Sequence, residues 1–199
     1  MVITDRRSSG GRPLADVVRA ALDGGARLVQ LREKDLEGRE LLALARELRS
    51  VTASRGAALL VNDRIDVALA AEADGVVLPA DSFPTDVARR LLGSGRLLGR
   101  STHSADEVEA AAEEGCDFAI FGPVHATPSK AAHGEPQGLE RLRRACASRI
   151  RVYAVGGIDA GNAAGAFGAG ASGVAVIRAV MAAGDPAAAA RALLSKAGR

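Results

Sequence analysis

The chain alternates short apolar runs with longer amphipathic segments throughout its length. Eight runs rich in Val, Ile and Leu cover residues 2–4, 28–31, 58–61, 75–78, 96–99, 118–121, 152–155 and 173–177. Runs this short, with Gly, Asp or Asn near their ends, predict buried β-strands. Between them, segments such as PLADVVRAALDGG and SADEVEAAAEEGC repeat apolar residues three and four positions apart, which predicts amphipathic helices.

The order of these elements predicts an α/β fold, because strands that alternate with helices form parallel sheets with helical crossovers. Eight such units close a (β/α)8 TIM barrel, and 199 residues is at the short end for that fold. We therefore predict one TIM-barrel domain over residues 1–199, with lean loops. Two helix starts carry capping signals, since Ser104 stands three residues before Glu107 and Asp185 directly precedes Pro186.

The longest predicted connection covers residues 123–138, with the sequence PVHATPSKAAHGEPQG. It is longer than a bare connection requires, and it follows a strand at the end where the active-site loops of a barrel lie. Lids of this kind bring charged groups to a substrate and exclude water, and Lys130 lies within this one. We expect a mobile active-site loop that closes over the bound ligand.

Composition narrows the range of partners. The 26 basic and 24 acidic residues are interspersed and give a net charge of +2, and aromatic residues make up only 3%, so nucleic acid is not an expected ligand. No apolar run approaches the roughly 18 residues of a membrane span, and the start MVITDRR lacks a secretory core. We expect a cytoplasmic protein that does not bind membranes, with Cys116 and Cys146 as reduced, buried apolar side chains.

Polar and charged side chains follow the predicted strands. In a barrel, the carboxyl ends of all strands converge on one mouth. The side chains expected there are Gln30, Arg32, Lys34, Asn62, Asp63, Asp81, Ser82, Arg100, Ser101, His103, His125, Thr127, Ser129 and Lys130. Several basic groups on one rim favour the binding of a diphosphate over ordinary surface ion pairs.

Two further segments predict a phosphate site. Gly156 and Gly157 follow the seventh strand, where bare backbone can approach a ligand and direct N–H groups at an anion. Ile177 and Arg178 end the eighth strand, just before a segment that can begin a helix. The loops after strands seven and eight are the usual phosphate site of TIM barrels, whereas the glycine pair on its own would indicate only a tight turn.

His103 is the best placed of the three histidines for proton transfer. It lies at the predicted mouth beside Ser101, and an imidazole exchanges protons near neutral pH. His125 and His133 lie in the long loop and are not expected to be essential. Histidine spacings typical of metal sites, HxxxH or HxH, do not occur, so the sequence does not support a histidine-bound metal.

The mouth segments resemble those of the thiamin phosphate synthase and thiazole tautomerase family of TIM-barrel enzymes. The matching stretches occur in order along most of the chain and are VQLREK (29–34), VNDRIDVAL (61–69), ADGVVL (73–78), LGRSTHS (98–104), FGPVHATPSK (121–130) and AVGGI (154–158). The resemblance implies that a thiazole phosphate is bound by Thr127, Ser129, Gly157, Ile177 and Arg178. In the synthase branch it further implies that residues 30–34, Asn62 and Lys130 hold a pyrimidine diphosphate, and that Asp63 and a second aspartate hold Mg²⁺.

One segment departs from the synthase pattern. After the fourth strand that pattern is roughly His-x-Gly-Gln-x-Asp, whereas this chain has VLPADS (77–82), with Ser82 at the position of the second aspartate and Asp81 one place earlier. The variant is similar to the tautomerase branch, which aromatises the thiazole phosphate carboxylate by a proton shift without a metal. Against this, Lys34, Asn62, Asp63 and Lys130 all remain synthase-like.

The leading hypothesis is therefore a thiazole tautomerase that uses His103 as the acid and base, needs no cofactor and acts on a small phosphorylated thiazole. The first alternative is a thiamin phosphate synthase that requires Mg²⁺ bound by Asp63. Two others remain open: a non-catalytic regulatory barrel that binds a phosphorylated ligand, and a barrel that acts on sugar phosphates. The oligomeric state is left open, a homodimer included.

Overall fold

The structure, a computed structural model, describes residues 1–127 and 135–197. Its described part contains one parallel sheet of eight strands, in which each strand pairs with the next one along the chain. The strands are β1 Val2–Ile3, β2 Leu28–Leu31, β3 Ala58–Asn62, β4 Gly75–Leu78, β5 Leu97–Thr102, β6 Phe118–Phe121, β7 Arg151–Val155 and β8 Gly173–Ala175.

The sheet closes on itself between its first and last strands. Val2 forms a parallel bridge with Val176, and the N–H of Ile3 donates to the Val176 carbonyl over 2.9 Å. Closure of eight parallel strands that are separated by helices produces a (β/α)8 barrel. The predicted fold class is thus confirmed, and all eight predicted strands are present.

Helices follow the strands and form the outer layer. They are α1 Leu14–Asp23, α2 Gly38–Ala53, α3 Ile65–Ala70, α4 Thr85–Leu92, α5 Ala105–Glu113, α6 Gly138–Ala145, α7 Ala163–Gly168, α8 Arg178–Met181 and α9 Pro186–Leu194. Both predicted caps form: Ser104 Oγ accepts the Glu107 N–H, and Asp185 Oδ1 accepts the Ala188 N–H over 2.9 Å. Each cap satisfies a backbone donor that the first helical turn leaves without a partner.

Two strands, β5 and β8, end two or more residues away from their predicted ends, and β1, β3 and β7 differ from the prediction by one residue each. β5 runs on to Thr102, because residues 99–102 continue the ladder with the neighbouring residues 118–121 in spite of their polar side chains. β8 ends at Ala175, and α8 begins three residues later at Arg178. The early end of β8 leaves Ile177 in the short turn that connects the strand to α8.

Side chains alternate between the barrel interior and the helix layer. Ile3, Leu60, Val77 and Ile120 are among the buried residues of the interior, which an edge-to-face contact between Phe118 and Tyr153 completes, with ring centroids 5.6 Å apart. Because successive residues of a strand face opposite sides, a polar residue two positions beyond an interior residue also faces the barrel axis. This alternation decides which strand-end residues reach the mouth.

The two cysteines are free thiols, Cys116 buried and Cys146 half-buried. Burial raises the pKa of both thiols, that of Cys146 to about 11. Cys116 agrees with the buried, reduced role predicted for it, whereas Cys146 is less buried than predicted. Among the described helices, none combines the length and the apolarity that crossing a membrane requires.

Candidate active site

Gln30 and Asn62 lie side by side at the mouth, on the neighbouring strands β2 and β3. Each stands two residues beyond a side chain of the barrel interior, and Gln30 Nε2 donates to Asn62 Oδ1 over 3.0 Å. The Gln30 side chain is buried, yet its Oε1 has no hydrogen-bond partner within the described residues. A buried polar atom without a partner carries a desolvation cost, so this oxygen is available to a ligand or a bound water.

The loop after β2 is held by a group of ion pairs that the sequence did not reveal. The backbone N–H of Arg6 donates to both oxygens of the buried Glu33, and its guanidinium reaches Glu33 over 3.1 Å and Asp35 over 2.6 Å. Donation from Arg6 lowers the pKa of Asp35 to about 2. Lys34 is the exposed residue between these two acids, so its backbone position is fixed, while its amine has no partner within the described ranges and can meet a ligand.

Arg32 occupies the same loop and is half-buried. Its N–H donates to Oγ1 of the buried Thr4 over 2.9 Å, which joins the loop to the end of β1. The predicted binding residues Gln30, Arg32 and Lys34 therefore lie on one well-anchored strand end.

Asp63 lies at the carboxyl end of β3 with a left-handed φ of 65°. Ser82, in the loop after β4, donates a hydrogen bond from its hydroxyl to Asp63 Oδ1. Asp63 and Asp81 line one cleft of about 330 Å³, together with Lys34 and Asn62. The residue that replaces the second aspartate of the pattern thus supports the first one, and the displaced Asp81 still faces the same cleft.

This set of donors is compatible with a magnesium ion. Mg²⁺ prefers oxygen ligands and usually takes one or two protein carboxylates, with waters and substrate phosphates completing its shell. Asp63 and Asp81 supply two carboxylates to the cleft. Groups of three or more acidic, His or Cys side chains suited to a metal do not occur in the described ranges, so a metal here would depend on the substrate for further ligands.

Gly156 and Gly157 form the turn after β7, both with left-handed φ values, of 98° and 63°. The segment after β6 runs alongside them, since the N–H of His125 donates to the Gly156 carbonyl over 3.0 Å. A Cβ at position 157 would lie 2.6 Å from the Ala126 carbonyl oxygen. Only glycine therefore permits this close approach of the two segments.

Ile177 and Arg178 lie beside the glycine turn. Val155 pairs with Ala175 in the sheet, so Gly157 and Ile177 each stand two residues beyond a paired position on adjacent strands. The structure thus places together the parts of the predicted phosphate site at Gly156, Gly157, Ile177 and Arg178. Thr127 ends the described segment after β6 and is half-buried. Ser129, Lys130, His133 and the rest of the central part of the predicted lid, residues 128–134, lie outside the described residues.

Ser101 and His103 reach the mouth from β5 and the residues after it. His103 Nδ1 lies 2.5 Å from the Gly122 carbonyl oxygen, which can only accept, so Nδ1 carries the proton. Arg100 does not join them, because strand alternation turns it outward, where it donates to Thr85 Oγ1 and the Ala80 carbonyl. The prediction that Arg100 lies at the mouth is wrong, and its actual role is to hold the loop that carries Asp81 and Ser82.

Fold and site together define a (β/α)8 barrel enzyme whose candidate site lies at the carboxyl ends of the strands. The profile of the TMP-TENI family, described as thiamine monophosphate synthase, matches residues 1–180. The chain belongs to this family.

Individual relatives are similar along almost the whole chain. A Geobacter sulfurreducens protein, provisionally named a thiamine-phosphate synthase, is 54% identical over 98% of this chain and 92% of its own. The thiamine-phosphate synthase of Moorella thermoacetica is 48% identical over 96% of this chain and 92% of its own. A solved structure, the thiamine phosphate pyrophosphorylase from Pyrococcus furiosus, has a TM-score of 0.90 and 38% identity over 98% of this chain and 93% of that one.

These relatives overturn the leading hypothesis from the sequence. The prediction of a thiazole tautomerase is wrong, since relatives at 54% and 48% identity carry the synthase name. That prediction depends on the VLPADS segment, whose departure from the synthase pattern indicates a lost metal ligand. In the structure the Ser82 hydroxyl donates a hydrogen bond to Asp63, and Asp81 lines the same cleft as Asp63. The segment therefore rearranges the acidic groups and does not remove them.

Proposed function

We propose that the protein is a thiamine-phosphate synthase, a transferase that joins hydroxymethylpyrimidine diphosphate to thiazole phosphate. In this reaction the thiazole nitrogen forms a bond to the methylene carbon of the pyrimidine, the bond from that carbon to the diphosphate oxygen breaks, and pyrophosphate leaves. One observation carries the proposal: Asp63, Asp81 and Lys34 share a single cleft, as an enzyme that handles a metal diphosphate requires.

The cleft side of the mouth would bind the diphosphate. Lys34 and Arg32 supply positive charge to it, and the Arg6 contacts with Glu33 and Asp35 keep their loop in place. Mg²⁺ held by Asp63 and Asp81 would offset the charge on the departing diphosphate. Gln30 has an accepting oxygen with no partner in the described part of the chain, which suits a donor group on the pyrimidine.

The opposite side of the mouth would bind the thiazole phosphate. The backbone of Gly156 and Gly157 offers N–H groups to an anion, and Arg178 adds charge from the start of α8. Thr127 and Ser101 extend the polar surface between the two sides, and Ser129 and Lys130 remain predictions from the sequence. With one substrate on each side, the nucleophilic nitrogen and the carbon it attacks meet over the barrel axis.

The direct test is to incubate the purified protein with both substrates, with and without Mg²⁺. We expect thiamin phosphate and pyrophosphate to form in equal amounts with Mg²⁺, and EDTA to abolish the reaction. The control is the thiazole phosphate carboxylate alone without metal, which should remain unchanged. Failure to form thiamin phosphate under any metal condition would reject the proposal.

His103 takes a positioning role under this proposal. Its Nδ1 holds the Gly122 carbonyl at the base of the loop after β6. Replacement by alanine should raise the KM for thiazole phosphate by about tenfold, the loss expected for one hydrogen bond, with little change in kcat. His103→Asn, whose amide can still donate to that carbonyl, should recover most of the loss. A fall in kcat of about 10²–10³, with loss of one limb of the pH–rate profile, would instead make His103 a proton-transfer residue.

A further inference from the structure

A second basic cleft lies on the rim beside the candidate active site and shares Arg178 with it. It has a volume of about 610 Å³, and it runs between the loop after β1 and the end of α8. Its lining residues are Arg7, Ser8, Ser9, Gly10, Arg12, Arg178, Ala182, Ala183 and Gly184. Three of these carry positive charge and none is acidic, so the cleft brings like charges close together.

Arg12 is fixed in this cleft by neutral partners. Its Nε donates to the Ser9 carbonyl and its Nη2 to the Met181 carbonyl, each over 2.8 Å. Carbonyl oxygens orient a guanidinium without cancelling its charge, and these two bonds leave Nη1 unused. Arg178 is exposed, and it has no ion-pair or hydrogen-bond partner for its side chain in the described ranges.

The remaining charged groups in and beside the cleft are engaged with partners in the loop after β1 and the loop after β2. Arg7 pairs with Asp35 over 2.6 Å, and Arg6 pairs with Asp35 and Glu33. Asp5 accepts hydrogen bonds from Ser8 Oγ and from the Arg7 N–H. These acids therefore compensate Arg6 and Arg7, while Arg12 and Arg178 have no ion-pair partner in the part of the chain that the structure describes.

The loop after β1 also has backbone suited to an anion. Gly10 and Gly11 are consecutive residues with left-handed φ values of 64° and 80°. Consecutive residues in turn conformations can direct their N–H groups to one side and form a concavity for an anion. The sequence RRSSGGR of this loop thus combines guanidinium groups, hydroxyls and unhindered backbone within seven residues.

We propose that this cleft is a second anion site, which binds the phosphate or diphosphate end of a small molecule. Arg12 and Arg178 would form the charged contacts, with Gly10 contributing backbone donors. The cleft volume falls within the range of small-molecule sites and exceeds what inorganic phosphate needs, so a larger phosphorylated metabolite fits. Arg178 alone is shared with the proposed substrate site, which would couple occupancy of the two sites.

The test titrates the full-length protein with inorganic pyrophosphate at constant ionic strength and follows backbone amide signals by NMR. Gly10 and Gly11 report on the rim cleft, whereas Gly156 and Gly157 report on the substrate site. We expect both pairs to shift saturably, with different binding constants. Ala182 lines the cleft and is exposed, so a charge can be introduced there without disturbing packing.

Ala182→Asp should weaken binding at Gly10 and Gly11 by about tenfold, as expected for one negative charge near two cations at intermediate dielectric. Ala182→Asn, which has the shape of the aspartate variant without its charge, should leave binding at Gly10 and Gly11 within about twofold of the unmodified protein. Ala182→Lys should strengthen this binding. The proposal is overturned if the Gly10 and Gly11 signals do not respond, or if their binding constant is the same in all three variants. Signals at Gly156 and Gly157 that respond in either case would leave the proposed synthase function intact.

Discussion

Replacement of Asp63 by asparagine is expected to lower the kcat for thiamin phosphate formation by about 10²–10³, the usual cost of removing one preorganised electrostatic group. Asparagine is the informative substitution, because Asp63 has a left-handed φ of 65° that asparagine adopts readily and alanine does not. The fold should thus survive while the cleft loses one negative charge. The Mg²⁺ concentration that gives half-maximal activity should rise, which a metal titration of the rate would measure.

Two companion variants separate the charge of Asp63 from its surroundings. Ser82→Ala removes the hydroxyl that donates to Asp63 but keeps the carboxylate, so it should lower kcat by no more than about tenfold. Asp86→Asn is the matched control, since Asp86 is exposed on α4 and pairs with Arg90 away from the mouth. An Asp63→Asn protein with unchanged kcat and unchanged Mg²⁺ dependence would contradict the assignment.

The fold was predictable because barrels are encoded locally. Each strand and helix has its own periodic pattern, and eight repetitions of the pair leave few topologies. The end of β5 was not predictable in the same way. Residues 100–102 are polar, and only the neighbouring strand, through its ladder with residues 118–121, keeps them extended. The outward direction of Arg100 follows from that longer strand.

The site was predictable as a set of strand ends, but its internal contacts were not. Glu33 and Asp35 are about 30 positions from Arg6 in the chain, and their ion pairs depend on β1 and β2 being neighbours in the barrel. The charged residues of REKD (32–35) and DRR (5–7) could each pair with many groups, and they indicate these ion pairs only once β1 and β2 are known to be neighbours. The bond from Ser82 to Asp63 likewise requires β3 and β4 to be adjacent.

A single motif was the source of the functional error. The sequence VLPADS differs from the synthase pattern at several positions, and position-by-position comparison treats Ser82 as a lost metal ligand. A carboxylate can act in the cleft as long as it lines the cleft, whatever its exact position in the sequence. Asp81 lines the same cleft as Asp63, although it stands one residue before the position of the pattern. Overall similarity to the relatives therefore outweighs the local departure.

Replacement of Gly157 by alanine is expected to raise the KM for thiazole phosphate by about 10- to 100-fold, as for the loss of one or two charge-assisted hydrogen bonds. A Cβ at this position would lie 2.6 Å from the Ala126 carbonyl oxygen and 2.8 Å from the His125 Cβ. The two segments must then separate or the peptide must rotate, and either movement redirects the N–H groups from the anion. Steady-state kinetics with the pyrimidine substrate at saturation would measure the change.

Gly56→Ala is the matched control for that experiment. Gly56 has a φ of 60°, close to the 63° of Gly157, but nothing lies within 4 Å of an added Cβ, and its turn joins α2 to β3 at the opposite end of the barrel. Both variants should lose about 1–2 kcal/mol of stability from the left-handed backbone, measured by denaturant unfolding. Only Gly157→Ala should raise KM, because only there does the side chain displace backbone at the mouth. An equal KM in both variants would show that the glycine turn does not contact the substrate phosphate.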